Sequence, residues 1–426
     1  MNNHKLLMII NSFPPSGGSG VQRPLKFLKY SCRAGWEVHA IVPKKPSNNI
    51  TDYSLLEEIP AEAHIHKVRS LGIKTPEYAT NINSTYLEEE TTPQNPIKRK
   101  FWLLIRFFND LIFPIDKQIG WIPFATHKAI QLIKKHHIKN IYITASPFSS
   151  FLVGIRLKKK FGENIFWVAD YRDAWQFDIY INKQTLPFRR RYIEKTDEKA
   201  LMICDRAVFV TEAVRHTYTQ KYPWLSSKSC TITNGYDEED FKDVKPVKFS
   251  YPTLFYMGKG DFLYCNPIKL FEAIILSGIP NLHFIHMGII DSLLLEKIKQ
   301  TGFDLYFYEG YKPHKEALNY LCGADINLIM RENNEESKKT LSGKIFELLR
   351  AGRPILSVGP QNSVISDLVN ETQTGVHAFI EDPQAIAEAL RICYSRRNDP
   401  PPPKEVIEKY SREYLTKKLL SLYPES

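Results

Sequence analysis

The chain has 426 residues, 43% hydrophobic and 24% charged. That composition excludes a disordered polypeptide, and the length is too great for one ordinary core, fitting two α/β domains better than three small ones. A formal net charge of +10 suits an anionic partner, whether a nucleotide diphosphate, an acidic membrane face or nucleic acid.

The first apolar run, Leu6–Ile10, ends at Asn11 and Pro14 and is too short for a signal-peptide core with a cleavage site. No apolar stretch is long enough to span a bilayer. Cys32, Cys204, Cys230, Cys265, Cys322 and Cys393 are scattered without a C-x-x-C pair, which argues against zinc and a disulfide framework and for a reducing compartment. The expectation is a cytoplasmic protein.

Strands are predicted at Leu6–Ile10, Val38–Val42, Ile141–Thr144, Phe166–Ala169, Ala207–Val210 and Cys230–Thr233. Helical spacing lies between most of them, as at Ala129, Ile130, Ile133 and Ile138, and this alternation marks a parallel sheet covered on both faces. The polar segment Tyr78–Gln94 reads as an insertion. The basic and aromatic segment after it, within 97–113, reads either as a helix lying in a membrane interface or as a buried helix with a charged lip. A linker-like stretch, Asp243–Pro252, precedes a second series of strands at Thr253–Met257, Leu282–Met287, Leu305–Tyr308, Ile326–Ile329 and Pro354–Val358. The prolines Pro400–Pro403 isolate a last amphipathic segment. The predicted division is therefore 1–246, 247–399 and a terminal helix within 400–426.

Five segments carry candidate chemistry. The turn Pro14–Gly20 contains Gly17 and Gly18, which let backbone N–H groups approach an anion ahead of a helix. It lacks the dinucleotide fingerprint. Asp170, Arg172 and Asp173 follow a strand, where open α/β sheets place ligands, and could position a sugar and manage charge near an anomeric carbon. Thr233–Asp237 ends the first series of strands with an Asn-Gly turn. Gly258 and Lys259 follow the first strand of the second series and suit a diphosphate. The sharpest segment is Ser342–Ile355: Ser342 is placed to cap a helix beginning at Gly343, and Lys344 puts a cation in its first turn. Such a cation opposes the helix dipole unless an anion binds. Glu347, one turn on, could accept hydrogen bonds from both ribose hydroxyls, while Gly352 stops the helix.

Together these segments, from FPPSGGSG through TNGYDEEDF and GKIFELLRAGRPIL to VNETQTGV, resemble the GT4-type glycosyltransferases of the GT-B fold. DYRDAW resembles a subset of bacterial members that build cell-surface polysaccharides. The resemblance implies an α/β fold of two Rossmann-like domains facing a cleft. It further implies a nucleotide-sugar donor held mainly by the second domain, a glycan or lipid-linked acceptor held by the first, and transfer with retention without a metal. Glu347 takes the place of the ribose-binding glutamate, Lys259 that of a phosphate-binding arginine, and Gly17 and Gly18 that of the loop closing over the donor. Asp170 stands where many members have histidine.

Three departures follow from the same residues. Lys339 occupies the position of the first motif glutamate, unless Glu335 or Glu336 replaces it. Cys265 and Asn266 lie where a second phosphate-binding lysine is expected, so Lys339 or Lys344 would supply that charge. Asp170 in place of histidine alters the electrostatics near the sugar. The chain has no Asp-x-Asp pair for a divalent ion, so no cofactor or metal is expected. A nucleotide-sugar epimerase, with Asp170, Asp173 and His286 as acid/base candidates, is the competing enzyme. A catalytically inert GT-B scaffold is the competing non-enzyme. The basic residues form no stripe with stacking aromatics, so nucleic acid is not an expected partner.

Overall fold

The computed structural model describes residues 4–45, 51–71, 104, 107–177, 185–262 and 265–424. The chain divides into two compact units, Met1–Thr233 with Leu415–Ser426, and Asn234–Tyr414.

The first unit is built on a seven-stranded parallel sheet: β1 (Lys5–Ile9), β2 (Glu37–Pro43), β3 (His64–Val68), β4 (Asn140–Ala145), β5 (Phe166–Tyr171), β6 (Arg206–Phe209) and β7 (Ser229–Thr231), in the order β3-β2-β1-β4-β5-β6-β7. Both faces are buried, as a parallel sheet requires. Leu7 and Ile9 join one core with Ile141, Ile143 and Trp167, while Leu6 and Met8 join another with Val38, Tyr142 and Val168. The order changes direction between β1 and β4, the kind of point at which open α/β sheets bind ligands.

The second unit repeats the plan with β8 (Thr253–Met257), β9 (His283–Met287), β10 (Tyr306–Gly310), β11 (Ile326–Met330), β12 (Ile355–Gly359) and β13 (Gly375–Phe379), in the order β10-β9-β8-β11-β12-β13. All its pairings are parallel, and the change of direction falls between β8 and β11. Again alternate residues divide between two cores, Leu254 and Tyr256 on one side and Phe255 on the other.

The units meet along the chain at Thr233, earlier than the linker-like composition of 243–252 suggests. Tyr236 and Phe241 explain the difference, because both are buried in the core of the second unit with Phe255 and Phe346. The C-terminal segment is likewise divided. Lys404–Ile407 is a short helix of the second unit, with Ile407 in its core, whereas Leu415, Leu419 and Tyr423 pack in the core of the first. Sequence periodicity also missed β3 and β13. Both are edge strands, and only Val68 and Ala378 of their residues are buried.

Candidate functional site

In the second unit the ends of β8 and β11 flank the topological switch point, and the polar residues gather there. β8 runs into Gly258-Lys259-Gly260. Tyr256 Oη donates to the Lys259 carbonyl (2.9 Å), and Gly258 N–H donates to the Met287 carbonyl (2.9 Å). A side chain at Gly258 would place its Cβ 2.5 Å from Tyr256 Oη and 3.1 Å from Lys344 Nζ. Glycine is therefore required, because the Tyr256 phenol packs against the turn, with Lys344 close by. Lys259 itself pairs with Asp261 (3.1 Å).

His286 supports this turn from beneath. It is fully buried, with one ring nitrogen 3.0 Å from the Gly258 carbonyl and the other 2.7 Å from Tyr306 Oη. A carbonyl only accepts, so Nε2 carries the proton and Nδ1 accepts from Tyr306. Burial pushes the imidazole down to about 4, against the pull of the Gly258 carbonyl, so the ring is neutral near pH 7.

The helix Lys344–Ala351 opens towards the same place. Ser342 does not cap it as expected. Gly343 is the N-cap residue and no side-chain cap bond forms, while the Ser342 carbonyl accepts from Ile345 N–H (3.2 Å). A Cβ added at Gly343 would meet nothing within 4 Å, so the positive end of the helix faces open space. Burial lowers the Lys344 ammonium, and Arg331 lowers it further, against the pull of Cys265 and Glu347. Glu347 is one turn on, its side chain 22% exposed, and accepts from or pairs with His314 Nε2 at 3.1 Å. Burial would raise its carboxyl, but His314, Lys344 and Arg412 outweigh that and hold it below the ordinary carboxylate range. Glu347 is thus an ionised acceptor one helical turn from a cation. Gly352 ends the helix at φ 71°.

Arg331 is the residue that sequence reasoning missed. It is the first residue after β11, and its N–H donates to the Val358 carbonyl (2.8 Å). Nη2 donates to Thr340 Oγ1 (2.9 Å), while Nε is buried without a hydrogen-bond partner. Its position at a strand's C-terminal end, at the switch point, was the available signal. The charge missing at Cys265 and Asn266 is thereby present from another strand. Cys265 lies beneath these cations, its thiol raised by burial. Of the other candidates for missing functions, Glu335 is engaged with Lys338 (2.5 Å) in the short helix Glu335–Lys339, which ends at Lys339.

The first unit corrects the reading of DYRDAW. Asp170 is fully buried and paired with Arg23 (2.7 Å); Arg23 Nε donates to its second oxygen (3.0 Å). Tyr142 Oη and Thr144 Oγ1 also donate to that oxygen, at 2.6 and 2.9 Å. Burial would raise this carboxyl, but Arg23, Tyr142 and Thr144 hold it below its ordinary value. A carboxylate with four such contacts and no exposure cannot also orient a sugar, so Asp170 is a core ion pair in this conformation. Arg23 further donates to the Ile232 and Thr233 carbonyls, tying β5 to the end of β7.

Arg172 has a positioning geometry instead. Its guanidinium donates to the carbonyls of Ala145, Ser146 and Gly20. It therefore pins the loop after β4 to the start of the helix Ser19–Arg33 at the switch point of the first sheet. Gly17 is buried and Gly18, the N-cap at φ 91°, is exposed with nothing near its Cβ position. Asp173 is the exposed carboxylate of the segment. Of the segment 97–113, residues 97–103, 105 and 106 lie outside the described residues, as does the insertion 78–94. Leu104, Phe107, Phe108, Leu111 and Ile112 are all exposed. No helix among the described residues is long and apolar enough to cross a membrane.

Residues 85–240 match the family model described as Glycosyltransferase Family 4. No curated protein sequence matches the chain. Among solved structures, the chain is similar to a glycosyltransferase from Rickettsia africae at 13% identity, with 99% of this chain and 98% of that one covered and a TM-score of 0.60. It is also similar to sucrose-phosphate synthase from Thermosynechococcus elongatus (14%, 99% and 98% covered, TM-score 0.64). HepE from Anabaena, solved in complex with UDP, is a third (10%, 98% of each, TM-score 0.62). The chain thus has the two-domain α/β GT-B fold, and the partial family match together with that fold supports a glycosyltransferase.

Proposed function

We propose that the protein transfers a sugar, with retention, from a nucleotide-diphosphate sugar to a glycan or lipid-linked acceptor in surface polysaccharide biosynthesis. The observation that carries the reading is the convergence of Lys344, Arg331 and an open helix N-terminus at the switch point of the second sheet, one turn from ionised Glu347. Lys344 and Arg331 disfavour each other's charge, and an anion between them relieves that repulsion. Lys344, Arg331, Lys259 and the N–H groups near Gly343 take the diphosphate, and Glu347 takes the ribose hydroxyls. HepE, a neighbour in fold, binds UDP, which fits a nucleoside diphosphate as the shared ligand.

In the reaction the bond between the anomeric carbon and the diphosphate oxygen breaks, the acceptor oxygen forms the new bond on the same face, and the acceptor's proton leaves with the diphosphate. The departing diphosphate gains charge, and the fixed cations stabilise that charge. Gly17 and Gly18 form the first unit's loop over the donor, and acceptor positioning falls to that unit through Asp173, with Arg172 fixing the loops. The exposed apolar residues around Phe108 would serve a membrane surface carrying a lipid-linked acceptor.

An epimerase needs acid/base groups that reach the sugar. Asp170 and His286 are both buried and fully hydrogen-bonded, which leaves Asp173 of the three candidates and weighs against that reading. The test is diphosphate release from a panel of nucleotide-sugars, with and without glycan and lipid-linked acceptors. Acceptor-dependent release, lost in Glu347→Ala, is expected. Full activity in Glu347→Ala, or an epimer formed from donor alone, would overturn the proposal, and donor binding without transfer would indicate a scaffold.

A further inference from the structure

At the β3 edge of the first sheet, near the beginnings of its strands, four histidines from three elements meet around one carboxylate. Side chains two apart on a strand share a face, so Glu37 and His39 of β2 lie together, as do His64 and His66 of β3. The register pairs His39 with His64. The helix Ile122–His136 packs over β2 and β3 and ends there, contributing His136.

His39 is buried, and its ring stacks on His64 and His66, with centroids 4.6 and 5.3 Å away; His136 is 4.5 Å away on a tilted ring. His39 Nε2 lies 3.0 Å from Glu37 Oε1, and His39 Nδ1 lies 3.0 Å from His66 Nε2. Lys5 takes the other Glu37 oxygen at 3.4 Å. Ligand atoms of Glu37, His39 and His136 all fall within 4.8 Å of one another.

We propose that Glu37, His39 and His136 bind a late divalent transition-metal ion, with zinc the best fit. Zinc sits about 2.0–2.2 Å from nitrogen and oxygen ligands, which sets ligand atoms of a tetrahedral site roughly 3.3 Å apart. Glu37 Oε1 and His39 Nε2 are already near that separation, and rotation of the half-buried His136 ring closes the rest. The fourth position is open to water.

His66 has the orienting role that a metal-binding imidazole ordinarily requires. With Nε2 of His39 on the metal, its Nδ1–H donates to His66 Nε2, fixing tautomer and ring plane. Two imidazoles and one carboxylate select zinc, nickel or copper over calcium and magnesium, which need oxygen-rich sites. Cysteine spacing held no trace of this site, since its ligands are histidines and a carboxylate brought together by folding. The ion would staple the edge of the first sheet to the helix that covers it.

The test uses the full chain without a histidine tag, stripped with chelator and titrated with Zn2+ by calorimetry, with Co2+ absorption reporting the geometry. One equivalent should bind, with d–d bands of a low-coordinate site and a zinc-dependent rise in melting temperature. His136→Gln and Glu37→Gln should each weaken binding at least roughly tenfold, and His66→Phe by about tenfold as an orienting residue. Nucleoside diphosphate binding should be unchanged in all three. His136 is at the end of its helix and half-buried, so its variant tests the site without unfolding the core. Equal zinc affinity in wild type, His136→Gln and Glu37→Gln, or no binding in any of them, would overturn the proposal.

Discussion

Replacing Arg331 with Met separates a ligand-binding cation from a structural one. Met keeps the aliphatic packing against Gly359, where a Cβ would lie 3.2 Å from Arg331 Cβ. In the unliganded protein the substitution removes one bond to Thr340 Oγ1, worth about 1 kcal/mol. It also removes a buried Nε–H with no acceptor, which costs about 1–3 kcal/mol, and a cation that disfavours the charged form of Lys344. The unliganded variant should therefore melt at or above the wild-type temperature. A lost charge-assisted bond to a diphosphate is worth about 1.5–3 kcal/mol, or roughly 10- to 150-fold in affinity. Calorimetry with UDP and GDP, alongside scanning fluorimetry without ligand, reads both quantities. A variant that melts several degrees lower and binds both nucleotides as well as wild type would refute the assignment of Arg331 to the anion.

Asp170→Asn should destabilise the first unit by about 3–5 kcal/mol, because it leaves Arg23 buried without its counter-charge; a denaturant midpoint within experimental error of wild type would contradict the core role. Asp197 is buried among Tyr171, Tyr218 and Gln176, and burial raises its carboxyl from 3.8 to about 6. The folded state then holds the proton more tightly than the unfolded state, so this group's contribution falls as pH rises from about 4 to about 6 and is constant above. The shift corresponds to about 3 kcal/mol. Asp197→Asn should thus gain stability relative to wild type by about that amount between pH 4 and pH 7, and an equal difference at both pH values would refute it. Finally, replacing Phe108 and Leu111 together with Ser should reduce co-sedimentation with anionic vesicles several-fold; unchanged sedimentation would remove the membrane surface from the account.

The repeated parallel sheet was legible because its central strands are continuous apolar runs punctuated by turns, a pattern that only a doubly covered sheet explains. β3 escaped because HIHKV is mostly polar, as an edge strand tolerates, and β13 because GVHAF opens on glycine and buries only Ala378. In the site, Lys344 and Glu347 could be read locally, since a helix start and one turn of spacing bring them together. Arg331 could not, because its neighbours arrive from β8 and from the helix at Lys344. Asp170 was misread for the complementary reason: a polar residue at a strand end looks the same whether it meets solvent or an arginine 147 residues away. The histidine cluster was hidden likewise, with His39 and His136 on separate elements.

A structure of the chain with a bound nucleoside diphosphate tests the donor site most directly. The diphosphate should lie at the N-terminus of the helix Lys344–Ala351, within hydrogen-bond reach of Lys344 and Arg331, with the ribose hydroxyls on Glu347. Nucleotide bound elsewhere, with those three side chains unchanged and untouched, would contradict the account.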